Sequence, residues 1–454
     1  MLKKKFGMIS LGCDKNRVDG ERLLGEIRAH GCQIVSDPAQ AEVLIINTCA
    51  FLNAAREEAI NEIISAAATK GSGSLEKIVV SGCLSEKFIG ELFPDLTEAD
   101  VFLGIHDVKE LFPALERAYR GERVNAVGRC GEELFSRVVS TPEHYKYLKI
   151  ADGCSNFCTY CLIPKIRGKY RSYPMEMLVE EARSLGRTEE LILVAQDTTR
   201  YGEDGGQNLF VNLLKKISEL DNICHIRLLY CYPEKIDGAL IAEIRDNPKI
   251  IKYLDIPLQH SENRILRLMG RRGTKEEYRE LFETLRREIP EVALRTTFIT
   301  GFPTETEEEH RALCEFIKEI KFENAGVFTY SREPETPAYK LKGQIPASVK
   351  KRRQRELYEA QREVSSAYLK GFVGKTLPVV CDGVNDEGTG FVGRAYFQAP
   401  EIDGNVFFTA PRAKEGEIYH IKIEGSSDYD LFGSVFSERR NTASCCGNPP
   451  SFTS

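Results

Sequence analysis

Short apolar runs alternate with helix-like stretches through most of this chain, and that alternation limits its fold more than any other feature. Near the amino terminus the runs are Phe6–Leu11, Val43–Thr48 and Ile78–Gly82, separated by stretches such as Glu21–His30 and Asn53–Thr69. The periodicity reads strand, helix, strand, helix, strand, which is a parallel α/β sheet of the Rossmann or flavodoxin-like kind. Each run leads to a cysteine: Cys13, Cys49 and Cys83. In an open parallel sheet the carboxyl ends of the strands form the ligand crevice, so three cysteines placed just after three strands are expected to converge at one edge. Any one of them alone reads as a small buried thiol; the shared position argues for a common site.

A second module begins near Tyr145, after the polar stretch Gly131–Glu143. Its candidate strands are Tyr147–Ile150, Leu191–Ala195, His225–Tyr230, Tyr253–Pro257, Leu294–Thr300 and Ala325–Tyr330. Six βα units predict a full or partial (β/α) barrel, with its chemistry at the carboxyl ends of the strands. From Val349 to about Lys370 the chain is highly charged and helix-prone, which reads as a solvated helix or connector. Short β-branched or aromatic runs follow at Thr376–Cys381, Gly390–Gln398, Asn405–Thr409 and Glu417–Glu424, the pattern of a small antiparallel β-barrel. The expected organisation is an amino-terminal domain over 1–125, a linker over 126–144, a barrel core over 145–370, a small barrel over 371–434 and a disordered polar tail over 435–454.

With 454 residues the chain exceeds the roughly 250–300 at which single cores stop growing. No stretch approaches the roughly 18 uninterrupted apolar residues of a membrane helix, so a membrane role is excluded. The apolar run after Lys3, Lys4 and Lys5 is too short for a secretory core of about 7–15 residues, which predicts a cytoplasmic protein. Fourteen cysteines in such a chain point to metal binding, redox chemistry or burial rather than a disulfide framework. The formal net charge of −6 provides no overall basic field for nucleic acid.

Directly after the first barrel strand comes Ala151-Asp152-Gly153-Cys154-Ser155-Asn156-Phe157-Cys158-Thr159-Tyr160-Cys161, a C-x3-C-x2-C loop. A closed structural zinc site needs four ligands, so three thiolates leave one coordination position open. A four-iron four-sulfur cluster on three cysteines leaves one iron without a protein ligand, which is a place for a substrate or cofactor. Zinc and three buried thiols are the alternatives.

This loop resembles that of the radical S-adenosylmethionine enzymes, with Tyr160 as the aromatic before the last cysteine. The resemblance implies that the open iron chelates S-adenosylmethionine and that one-electron reduction releases a 5′-deoxyadenosyl radical. Leu11-Gly12-Cys13-Asp14-Lys15-Asn16 with Val18-Asp19, then Asn47-Thr48-Cys49 and Gly82-Cys83, resembles the amino-terminal domain of the methylthiotransferases. That likeness implies a second four-iron four-sulfur cluster on Cys13, Cys49 and Cys83, a radical SAM partial TIM barrel, and a terminal TRAM barrel. It extends from about residue 5 to about residue 434. Ala195-Gln196-Asp197-Thr198-Thr199-Arg200-Tyr201-Gly202 is similar to the RimO-type members, which modify an aspartate of ribosomal protein S-twelve, whereas tRNA-modifying relatives tend to carry Gly-Gln-Asn at the first three places. Thr304 and Gly20 depart from the common RimO pattern without touching a cysteine.

Charge gives a separate test. Residues 371–434 carry five Lys and Arg against ten Asp and Glu, an excess that repels RNA and attracts a basic protein; the plain alternative is an acidic face kept for solubility. The implied reaction turns an unactivated aspartate β-C–H bond into C–S–CH3. No residue is assigned as an acid or base, because the clusters carry the chemistry. Gln196, Asp197, Gln259, Arg295 and Thr297 are the candidate S-adenosylmethionine contacts by their position at the active face, with Asp197 as a helix cap and Arg295 as an ion-pair partner the alternatives. Phe157 and Tyr160 are expected to pack over the first cluster. The partners are ribosomal protein S-twelve, an electron donor and a sulfur donor, with a monomeric state and no membrane. The competing functions are a tRNA adenosine methylthiotransferase and a non-catalytic iron–sulfur protein that binds RNA or ribosomes.

Overall fold

The computed structural model describes residues 3–71, 73–128 and 136–437. Three layers of architecture follow one another along the chain. The first is a parallel sheet built from β1 (Lys5–Ser10), β2 (Gln33–Ile34), β3 (Val43–Thr48), β4 (Lys77–Gly82), β5 (Val101–Phe102) and β6 (Val124–Asn125), in the order β2-β1-β3-β4-β5-β6. β3 is buried along its whole length, because helices cover both faces of a parallel sheet. The short strands β2, β5 and β6 were not legible as apolar runs.

The second layer starts at β7 (Tyr145–Lys149). β8 (Ala151–Asp152) pairs antiparallel with β9 (Arg171–Ser172), enclosing the cysteine loop. The barrel continues with β10 (Thr188–Val194), β11 (Ile223–Leu228), β12 (Ile250–Asp255), β13 (Ala293–Thr300) and β14 (Asn324–Thr329). All six long strands are parallel in the order β14-β13-β12-β11-β10-β7, an open partial barrel. All six predicted barrel strands are present, with ends that differ by at most three residues.

The helix Ala347–Lys370 is not simply solvated. Leu357, Ala360, Gln361 and Leu369 are buried, and Gln361 donates to the Phe322 carbonyl at 2.7 Å. Its charged residues hide a stripe at helical spacing, which packs against the barrel.

The third layer is a closed barrel of β15 (Thr376–Val384), β16 (Phe391–Arg394), β17 (Val406–Thr409), β18 (Ile418–Ser426) and β19 (Leu431–Ser437), in the order β15-β16-β17-β19-β18. Sequence reading found four of these strands and ended the barrel at residue 434. β19 corrects that: residues 435–437 belong to the strand that closes the barrel, while 438–454 lie outside the described residues. Closure includes a parallel pair, β17 with β19, so the barrel is not purely antiparallel.

The small barrel packs into the inner side of the half-barrel. Tyr145, Tyr147, Ile192, Val194 and Tyr253 share one core with Leu377, Val379, Phe397 and Ile421. A buried charge set crosses the same junction. Arg394 reaches Glu190 at 2.9 Å and Asp382 at 2.8 Å, Arg227 pairs with Glu190, and His144 meets Asp382 at 2.7 Å. Burial alone would raise the Glu190 carboxyl, but Arg227 and Arg394 pull it down to about 2 from an ordinary 4.5. A depressed folded value stabilises above the unfolded value and loses that contribution as pH falls. The junction is therefore expected to lose about 3 kcal/mol between pH 4.5 and 2. Acid unfolding should be less steep in that window for Glu190→Gln than for the parent; equal slopes would remove Glu190 from the account.

Candidate functional site

The cysteines at 13, 49 and 83 stand at the carboxyl ends of the adjacent strands β1, β3 and β4. Cys13 precedes the helix Asp14–Ala29 and Cys83 begins the helix Cys83–Asp95. Gly12 explains how close the chains come: its φ is +96°, and a Cβ there would lie 2.8 Å from Cys49 Cβ. Only glycine allows both that backbone and that approach. The three thiols influence one another electrostatically, Cys83 responding to Cys13 and Cys49. Burial pushes the Cys83 thiol up to about 12 and raises Cys49, so taking up a metal group as thiolates requires proton release.

The second cysteine set lies on the loop after β8. Each sulfur has a polar hydrogen near it. The backbone N–H of Asn156 donates to Cys154 Sγ at 3.5 Å, that of Ile163 donates to Cys161 Sγ at 3.4 Å, and the Tyr232 hydroxyl lies 4.0 Å from Cys158 Sγ. The backbone N–H donors aimed at Cys154 and Cys161 suit thiolates better than thiols, and the set fits an iron–sulfur group. Among the described residues, no three His, Cys, Asp or Glu side chains form a chelate for a single metal ion. Gly153, with φ +72°, lets the loop turn where a Cβ would strike the Lys169 carbonyl.

Between the two sets runs a buried charge network that sequence reading missed. Lys149, fully buried, pairs with Asp19 and, at 2.9 Å, with Asp152. Arg167 contacts Asp19 at 2.9 Å and Asp152 at 3.1 Å, and its other terminal nitrogen lies 3.3 Å from Cys83 Sγ. Burial opposes the charge on Asp152, yet Arg167, Lys149 and His106 hold its carboxyl well below the usual range. Asp152 is two residues ahead of Cys154, so this one network joins the neighbourhoods of both triads. No spacing or period marks Arg167; its only signal was a basic residue shortly after the cysteine loop.

The five proposed cosubstrate contacts are not equivalent. Gln196 follows β10 with its side-chain carbonyl oxygen buried and without a hydrogen-bond partner. Gln259 adopts φ +75°, and its backbone exchanges hydrogen bonds with Thr297 O at 2.8 Å and Ile299 N at 2.7 Å. A left-handed glutamine held by two strand-like bonds is a strained position of the kind found at binding sites. Asp197 is fully buried and accepts from Asn156 Nδ2 at 2.9 Å and Thr199 Oγ1 at 2.8 Å, so it braces the cysteine loop. Arg295 is drawn to Asp255 at 2.9 Å and to Asp403 of the small barrel at 3.2 Å, with Thr297 near the same guanidinium at 3.5 Å. The ion-pair alternative describes its observed contacts. Tyr160 packs with Ile265, Met269, Phe302 and Tyr330, whereas Phe157 is 61% exposed at φ +52°.

Sequence comparison gives three matches: residues 5–104 to uncharacterized protein family UPF0004, 148–317 to the radical SAM superfamily, and 373–436 to the TRAM domain. The ribosomal protein uS12 methylthiotransferase RimO of Lachnoclostridium phytofermentans is 45% identical over 95% of this chain and all of its own length. That of Acetivibrio thermocellus is 43% identical over 96% of this chain and 99% of its own.

The chain belongs to the RimO methylthiotransferase family.

It is accordingly a radical SAM transferase, and four-iron four-sulfur clusters and S-adenosylmethionine are the cofactors of this methylthiotransferase. In fold it is similar to the radical S-adenosylmethionine methyltransferase TsrM from Kitasatospora setae, with a TM-score of 0.53, 13% identity and coverage of 74% of this chain and 77% of the other. No described helix of this RimO-family chain is long and apolar enough to cross a membrane.

Proposed function

We propose that this chain places a methylthio group on the β-carbon of an aspartate in ribosomal protein uS12. One observation carries the two-site part of the reading: Arg167 spans from Cys83 Sγ, at 3.3 Å, to Asp152 beside the second cysteine set. Cys154, Cys158 and Cys161 would hold one cluster and Cys13, Cys49 and Cys83 the other. Bound there, the clusters and S-adenosylmethionine would supply a low-potential electron, a hydrogen-abstracting radical and the sulfur and methyl groups to be transferred.

The chain's own residues bind, orient and exclude water. Gln196 offers a buried, unused carbonyl oxygen at the active face, and Gln259, after β12, and Thr297, in β13, are the further cosubstrate contacts. Asp197 and Arg295, whose charged groups are already engaged, would act by holding Asn156 and the β12–β13 pair in place. The buried Lys149–Asp19–Asp152–Arg167 network keeps the space between the two cysteine sets dry.

The substrate assignment draws on the name borne by the relatives. The acidic small barrel supports it less strongly than composition alone suggests. Of its ten acids, Asp382, Glu401, Asp403 and Glu415 meet His144, Arg17, Arg295 and His144 across domain junctions. That spends part of the negative charge on docking. Incubation of the reconstituted protein with uS12 and, separately, with unmodified tRNA tests the choice by mass spectrometry. The expected product is a uS12 peptide with one methylthio group in place of a hydrogen and unchanged tRNA; the reverse result assigns the tRNA reaction. We further propose a cytoplasmic monomer served by separate electron and sulfur donors.

A further inference from the structure

Arg271 is a buried cation whose surroundings lack an obvious anion. It is 6% exposed and follows the segment that carries the cysteine loop, since Thr159 bonds Met269 O through its N–H at 2.9 Å and Leu268 O through its hydroxyl at 2.7 Å. One terminal nitrogen donates to the Pro257 carbonyl at 2.7 Å, the guanidinium lies 4.0 Å from the centre of the Tyr232 ring, and the Nε–H is buried without an acceptor. Of the other arginines this buried, Arg137, Arg167, Arg227, Arg353 and Arg394 each touch a carboxylate, and Arg22, bonded to the Tyr173 hydroxyl, feels the charges of Glu181 and Asp19. Among the described residues no Asp or Glu forms an ion pair with Arg271. The groups that act on it most are Tyr160, Tyr232, Cys158 and Tyr278. The nearby acids are occupied: Asp197 by Asn156 and Thr199, and Glu234 by Tyr278 and the Gly273 N–H.

A guanidinium cannot shed its proton in a protein, and a buried charge without a partner is strongly destabilising. Its neighbours here are neutral phenols, a backbone carbonyl and one thiol. That thiol belongs to Cys158, which also has the Tyr232 hydroxyl beside it. A cluster on three thiolates is anionic and gains a further negative charge when one electron is added.

We propose that Arg271 is the built-in counter-charge of the cluster held by Cys154, Cys158 and Cys161, stacked in place by Tyr232. The inference rests on the cluster assignment made above. It makes Arg271 a positioning residue that acts on cluster retention and on the ease of reduction. The electron comes from an added low-potential one-electron reductant such as dithionite, and no bond is made or broken.

The test uses the full chain with Cys13, Cys49 and Cys83 replaced by Ala, so that a single cluster reports, and omits S-adenosylmethionine. Arg271→Gln and Arg271→Lys are compared with this parent for iron content, thermal unfolding without iron, and midpoint potential by electron paramagnetic resonance. Arg271→Gln is expected to melt no lower than the parent without iron, because it removes an uncompensated charge. With iron it should retain less cluster, and the equilibrium for reduction should fall about tenfold, about 59 mV for one electron. Arg271→Lys should recover most of both losses. If Arg271→Gln instead lowers iron-free stability and leaves the potential unchanged, the residue is structural and the proposal fails. If the two variants differ from the parent only once S-adenosylmethionine is added, the cation serves the cosubstrate and the proposal also fails. A parent that binds no iron overturns the cluster assignment itself, a separate outcome.

Discussion

Replacing Cys154, Cys158 and Cys161 together by Ala is expected to lower the iron of the anaerobically reconstituted protein from about eight to about four per chain, and to abolish cleavage of S-adenosylmethionine. The complementary variant at Cys13, Cys49 and Cys83 should also hold about four irons but continue to cleave S-adenosylmethionine while forming no methylthio product. This asymmetry follows from the open coordination position argued for the C-x3-C-x2-C loop, against the role of sulfur presentation argued for the strand-end triad. Iron and sulfide analysis with a cleavage assay on the same preparations checks it. A parent with about four irons, and a first variant with almost none, would make Cys13, Cys49 and Cys83 ordinary thiols. The methylthiotransferase mechanism would then lose its second site.

Lys149→Met is expected to have the largest effect on stability of any single substitution near the site. The ammonium is fully buried between Asp19 and Asp152, and removing one member of a buried ion set leaves the other charges uncompensated at a cost of about 3–5 kcal/mol. Arg167 still faces both carboxylates, which places the expected loss near the lower end, about 3 kcal/mol. A chain of several domains does not unfold in two states, so the readout is the midpoint of thermal or denaturant unfolding with iron retention. Both cysteine sets should hold iron less well, because Asp152 leads into one and Arg167 touches the other. An unchanged midpoint would show that the remaining arginine neutralises the pair unaided.

Much of the architecture was legible because it depends on local pattern. The six barrel strands read as short apolar runs, since a parallel sheet covered by helices on its outer face selects apolar residues there. The loop Cys154–Cys161 was legible as a candidate cluster site because its C-x3-C-x2-C spacing lies within a few residues. Cys13, Cys49 and Cys83 could be placed at one edge because a parallel sheet puts the ends of successive strands on the same side. The failures have an equally physical basis. β19 was missed because its residues Leu431-Phe432-Gly433-Ser434-Val435 follow no strict alternation. The helix Ala347–Lys370 read as solvated because its charges outnumber the stripe that packs.

What the sequence determined by itself was the order of domains, the direction of the two parallel sheets and the placing of two cysteine triads, one at the strand ends and one on the loop after the first barrel strand. What only the tertiary structure decided was which charges meet. Arg295 faces Asp403 of the small barrel, Arg167 links Cys83 to Asp152, and Arg271 stacks on Tyr232, whose hydroxyl lies beside Cys158, without a carboxylate in contact. Backbone hydrogen bonding and apolar burial leave a periodic imprint on neighbouring residues. An ion pair needs only two side chains at contact distance, wherever in the chain they arise, so it leaves no period to read.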